Sequence, residues 1–199
     1  ISAPLEGFAR YDELIERLEA LPQIEAATPV MHSFGLLKMD DRVHTVEVLG
    51  IRPREYDRVT RYRDSLHWTT QDYIDDASAK APPEGQRDEI DQRVLDARLK
   101  HFNQMDLTEA GMTFTPPGVW SLNENNGDSH EDTIPGGAVP GIHISPYNKR
   151  DESGQYAVAS NSVGAEIVMT LVPITRGGGL LEPTSRRFAV VNEFKSGLY

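Results

Sequence analysis

The 199-residue chain contains no cysteine, which removes a disulfide framework, a thiolate zinc site and thiol catalysis together. It has no apolar run near the ~20 residues that a bilayer-spanning helix needs. With a mean hydropathy of −0.47, the fragment is expected to be soluble. Cations are also short, 20 Lys and Arg against 31 Asp and Glu for a formal net charge of −11. A nucleic-acid surface needs clustered Lys and Arg to neutralise phosphates, so that class of partner is excluded and the acidic surplus reads as a solvated surface.

Several motifs are missing too. Gly177-Gly178-Gly179 lacks the downstream Gly-Lys-Ser/Thr of a phosphate-cradling loop, so ATP is not handled by these residues and no cofactor is expected. His32, His44, His67, His101, His130 and His143 include no His-Glu-x-x-His spacing, and no metal is expected. Ser129-His130-Glu131-Asp132 offers the residue types of hydrolytic chemistry, but a triad converges in space while neighbours in an Asn/Gly-rich loop point apart. Asp40-Asp41 and Asp75-Asp76 lack the alternating donors, Gly and distal Glu of a calcium loop, and read as turn residues.

What is present begins with a helix. Tyr11, Leu14, Ile15, Leu18 and Leu21 recur at helical spacing, and Pro22 ends the run. Ala26–Met39 and Val43–Ile51 are rich in Val, Leu and Phe, with a polar turn at 38–42 between them, so a helix on an antiparallel pair is expected. Residues 53–66 open with Pro53 and carry a weaker helix signal. Asp88–Gln104 is stronger, with Ile90, Val94, Leu95, Leu99 and Phe102 on one stripe and acids at its start. Asp75–Gly85 reads as a loop and Thr115–Gly141 as a long irregular insertion, after which strands resume at Gly141–Ser145 and Ala165–Pro173.

The last strand, Arg186–Phe194, takes its character from Phe188, Val190, Val191 and Phe194. Between it and the strand at 165–172 lies a loop with three consecutive glycines and two adjacent leucines. A protruding hairpin tip is expected there, formed by Ile174, Thr175, Arg176, Gly177, Gly178, Gly179, Leu180, Leu181 and Glu182. The chain starts at Ile1 without an initiator Met and stops at Tyr199 soon after a turn, so it is expected to be a segment of a longer protein.

Arg187-Phe188-Ala189-Val190-Val191 followed by Phe194-Lys195-Ser196-Gly197-Leu198-Tyr199, with Val172-Pro173 and Pro183-Thr184-Ser185-Arg186 before it, resembles the extracytoplasmic domain of lipoprotein-releasing and MacB-type ABC transporter permeases, a superfamily that includes the division-site permease. Tyr11-Asp12-Glu13-Leu14, Leu21–Val30 and Val46–Ile51 resemble that family's first helix and the segments after it; the likeness covers about residues 8–56 and 163–199. The resemblance implies an α+β fold of two subdomains: a discontinuous, porter-like helix-on-sheet unit from 1–53 plus 186–199, and an inserted mixed unit over 54–185. It implies a non-catalytic domain on the periplasmic face of the inner membrane, between flanking transmembrane helices. Its partners would be a cytoplasmic ABC ATPase, a second permease subunit, and a periplasmic carrier, lipoprotein or adaptor held by the 174–182 hairpin as a hook. Two other readings stay open: a regulatory module that binds a cell-wall hydrolase, and a hydrolase with its site in the 115–141 loop.

Overall fold

A computed structural model describes residues 10–80, 92–93, 96, 106–115, 136–145, 148–152, 154, 156–158, 162–171 and 182–195. The fold is α+β. The chain divides into two compact units, Ile1–Asp64 with Ala165–Phe188 and Ser65–Gly164 with Ala189–Tyr199, so neither unit is continuous in sequence.

In the first unit, α1 spans Tyr11–Glu19, with Asp12 and Glu13 in the first turn and Arg17 in the last, matching the helix dipole at both ends. Leu14, Ile15 and Leu18 are half-buried, whereas Tyr11 and Leu21, at the ends of the expected stripe, are exposed. Strand β1 (Val30–Met39) folds back on β2 (Arg42–Ile51) in an unbroken antiparallel register from Met39 opposite Arg42 to Val30 opposite Ile51. The two-residue turn is Asp40-Asp41, and Asp40 sits at φ 52°, a left-handed conformation that Asp tolerates better than most residues. That accounts for the acidic pair as turn chemistry.

Helix α2 (Pro53–Thr60) starts on its proline and stops where Arg61 turns left-handed at φ 57°. A 3-10 turn at Tyr62–Ser65 follows, so the expected 53–66 helix is broken in two. Arg52 ties α1 to α2: its guanidinium reaches Asp12 at 3.0 Å and Glu55 at 3.4 Å, and lies 5.3 Å over the Tyr11 ring. Strands β6 (Glu166–Leu171) and β7 (Thr184–Val190) complete this unit's sheet in the order β2-β1-β6-β7, with β6 antiparallel to β1. Gly35 is required here, because a Cβ would stand 2.7 Å from the Thr170 carbonyl oxygen.

The second unit holds α3 (Thr70–Lys80), α4 (Leu107–Thr113), β3 (Gly136–Ala138) and a small hairpin of β4 (Asn148–Arg150) with β5 (Tyr156–Val158). Both helices carry side-chain caps. The Thr69 hydroxyl accepts from the Asp72 N–H, and the Asp106 carboxylate accepts from the Glu109 N–H. Helix α3 runs to Lys80, through the segment from Asp75 expected to be loop; with no Gly or Pro up to that point the sequence gives no stop signal. Residues 136–138 form a strand inside the span expected to be irregular. The strand expected at Gly141–Ser145 is one parallel bridge, Gly141 with Phe194, followed by a turn. Gln92, Arg93 and Asp96 are helical, with the Gln92 amide donating to Asp96 one turn on; the rest of the expected 88–104 helix lies outside the described residues. The core gathers Trp68, Tyr73, Leu107 and Val163.

Candidate partner-binding site

The expected hairpin is framed by two strands that are indeed neighbours, β6 and β7. Side chains align them antiparallel: the Thr170 and Ser185 hydroxyls hydrogen-bond at 2.7 Å, and Arg187 lies 3.7 Å from Glu166. Glu182 is exposed just ahead of β7, while Ile174, Thr175, Arg176, Gly177, Gly178, Gly179, Leu180 and Leu181 lie outside the described residues.

A second surface emerges from the β1–β2 register. Directly opposite residues share a face of an antiparallel pair. One face carries Leu37 and Met39, both buried, and Ile167 of β6 opposite Met39. The other carries His32, Phe34, Leu36 and Lys38 of β1 with Leu49, Glu47, Thr45 and Val43 of β2. On this second face Phe34 is 70% exposed, Val43 59%, Leu36 45% and Leu49 42%. Large apolar side chains gathered on one sheet face make it a candidate contact surface. His32 and Glu47, 3.0 Å apart, place a hydrogen-bonded couple within it. The sequence signal was the run Phe34-Gly35-Leu36-Leu37-Lys38-Met39, which is apolar at both parities and therefore describes a strand wanting cover on two faces.

The buried chemistry lies elsewhere, at the end of the chain. Asn192 and Glu193, both 0% exposed, follow β7 in the second unit. Glu193 accepts from Ser162 Oγ at 2.7 Å and Asn148 Nδ2 at 3.2 Å on one oxygen and from Trp68 Nε1 at 2.8 Å on the other. The Asn192 amide donates to the Trp68 and Leu107 carbonyls, and its oxygen accepts from the Trp68 N–H. Burial pushes the Glu193 carboxyl above its ordinary pKa, opposed by the donors of Ser162, Trp68 and Asn148. Raised carboxyl groups often serve as general acids. Here both oxygens are occupied and the side chain has no exposed surface, so its work is to hold four chain segments together.

The remaining sequence candidates do not converge. His32 pairs with Glu47, His67 packs edge-on against Trp68 at 4.7 Å, and His143 is exposed. No group of three or more His, Asp or Glu among the described residues could hold a metal ion. His101 and the Ser129–Asp132 run lie outside the described residues. No helix among the described residues is long and apolar enough to cross a membrane. No protein-family model matches the chain, and no curated protein matches it either.

Proposed function

We propose that this chain is the extracytoplasmic domain of an ABC transporter permease of the lipoprotein-releasing and MacB-like superfamily. The observation that carries the reading is chain order within the first unit. A helix and a strand pair from the N-terminal 51 residues are completed by two neighbouring strands from beyond residue 165, whose connection holds Gly177-Gly178-Gly179-Leu180-Leu181. In this reading, movement of flanking membrane helices, driven by a cytoplasmic ATPase, displaces the domain. The 174–182 hairpin then hands a lipoprotein or another envelope substrate to a periplasmic carrier or adaptor. Coupling of this kind requires two states that differ in affinity for the cargo. The domain itself performs no bond chemistry.

The test is reconstitution of the full-length permease with its ATPase in proteoliposomes, followed by ATP-dependent release of a bound lipoprotein. Release by the unmodified protein, and its loss in the Leu180→Ser, Leu181→Ser double variant with ATPase activity retained, is the expected result. A full-length protein that retains no ATPase on purification would sink the reading.

A further inference from the structure

Strand β2 stands at the edge of its sheet among the described residues. Natural edge strands are blunted by charged side chains, above all Lys, and by Pro, bulges or shortness, because an open row of N–H and C=O groups recruits other strands. β2 has two charged side chains and none of the other protections. It is ten residues long, pairs with β1 without a bulge, contains no Pro or Lys, and has Arg42 and Glu47 as its formal charges. Glu47 is hydrogen-bonded to His32 on the exposed face. Such an edge is built to be covered.

The sequence of β2 also says by what. When two copies of one strand pair antiparallel, hydrogen-bonding residues must meet hydrogen-bonding residues, so opposite positions sum to an even number and share a face. A two-fold axis at residue 47 would set Glu47 against the partner's Glu47, a like-charge pair that is destabilising. An axis at 45 sets Glu47 against Val43 and Leu49 against Asp41, and shortens the overlap. An axis at Val46 avoids all of this. It pairs residues 42–50 with 50–42, placing Val43 opposite Leu49 and Thr45 opposite Glu47 on the exposed face, and Val46 opposite Val46 and His44 opposite Val48 on the other. Val43 and Leu49, 59% and 42% exposed, would cover each other twice, extending the apolar surface begun by Phe34 and Leu36.

We propose that β2 is a homodimer interface, in which two copies of this chain join their sheets antiparallel about a two-fold axis through Val46. The inference stands on the sheet edge alone and not on the transport reading, so either can fail without the other.

Sedimentation of the 199-residue chain at ~0.15 M salt, where a Debye length of ~8 Å screens the acidic surface, should give twice the 22.2 kDa chain mass. Changing Val43 and Leu49 together to Lys places like charges opposite each other and should weaken the dimer by roughly 100-fold. Val43→Glu with Leu49→Lys in one chain should restore it, because Glu then faces Lys twice. Both positions are exposed, so unchanged circular dichroism of each variant verifies the fold. The chain has no native cysteine, which makes single-cysteine crosslinking clean: Val46→Cys should oxidise to a covalent dimer faster than Thr45→Cys or Glu47→Cys. A monomeric wild-type chain at ~100 μM, equal dimerisation of the two double variants, or faster crosslinking at 45 or 47 would each overturn the proposal; a monomer would assign the edge to another segment or another protein.

Discussion

At the scale of single residues, the most consequential position is Glu193, and its pair with Asn192 was not legible in the sequence. An Asn-Glu dipeptide after Val190-Val191 reads as the polar end of a strand, and only the fold brings Trp68, Asn148 and Ser162 around it. Glu193→Ala strands the Trp68 and Ser162 donors in a dry site and should cost about 3 kcal/mol, read by chemical denaturation. Glu193→Gln keeps an acceptor for Trp68 and should cost far less at neutral pH. Because burial raises the Glu193 pKa, the folded chain takes up a proton more readily than the unfolded chain. The resulting stabilisation is complete below the ordinary carboxylate range and is lost as pH rises through the folded-state pKa. Wild type should therefore gain on the Gln variant as pH falls from neutral, and a flat or reversed difference in melting temperature would refute this. Gly137 carries a second prediction. Read as part of a loop, it is a strand residue whose Cβ would stand 2.3 Å from the Phe114 carbonyl oxygen, so Gly137→Ala should cost roughly 1–3 kcal/mol.

Elements with strong local signals were readable, and those set by tertiary contact were not. The β1–β2 hairpin announces itself through two apolar runs around Asp40-Asp41, and α1 through its stripe and Pro22. Helix α4 announces nothing. It is seven residues long, has Gly111 in its middle, and exists because Asp106 caps it and Leu66 packs where a Cβ at 111 would be, 2.8 Å away. The β6–β7 pair was legible from its β-branched and aromatic content, while the two faces of β1 were not separable because both are apolar. For the connection between β6 and β7, replacing Leu180 and Leu181 by Ser should leave the melting temperature within about 2 °C of wild type if the pair faces a partner, since exposed substitutions are nearly neutral. A fall of ten degrees would make both leucines core residues and end their candidacy as a hook.

For the molecule as a whole, the decisive fact is that each compact unit joins an earlier stretch of chain to a later one. The first draws on 165–188, and the second closes with 189–199. Among the described residues of the second unit, 189–193 are the most thoroughly buried run, from Ala189 at 2% to Val190, Val191, Asn192 and Glu193 at 0%. This run and the two residues after it also carry backbone ties: His67 N–H to the Glu193 carbonyl at 2.7 Å, Ile142 N–H to Phe194 at 2.9 Å, Val191 N–H to Ala138 at 3.0 Å and Lys195 N–H to Ser65 at 2.8 Å. Ala189 and Val190 were readable as strand, but the strand expected to run on to Phe194 stops at Val190, where Asn192 and Glu193 turn into the second unit's buried hydrogen bonds. The role of this stretch as the closing piece of a unit that starts at residue 65 was not readable, because sequence distance hides the partners. A chain ending at residue 188 keeps all of β1, β2 and β6 and the first five residues of β7, but loses this closing segment. In hydrogen exchange, amides of 65–75 and 141–145 should lose protection in the truncated chain as their acceptors and core cover vanish, while amides of β1 and β2 stay protected by their ten-residue ladder. Protection retained across 65–75 would show that the second unit closes without its last eleven residues, and the weight placed here on Asn192 and Glu193 would be misplaced.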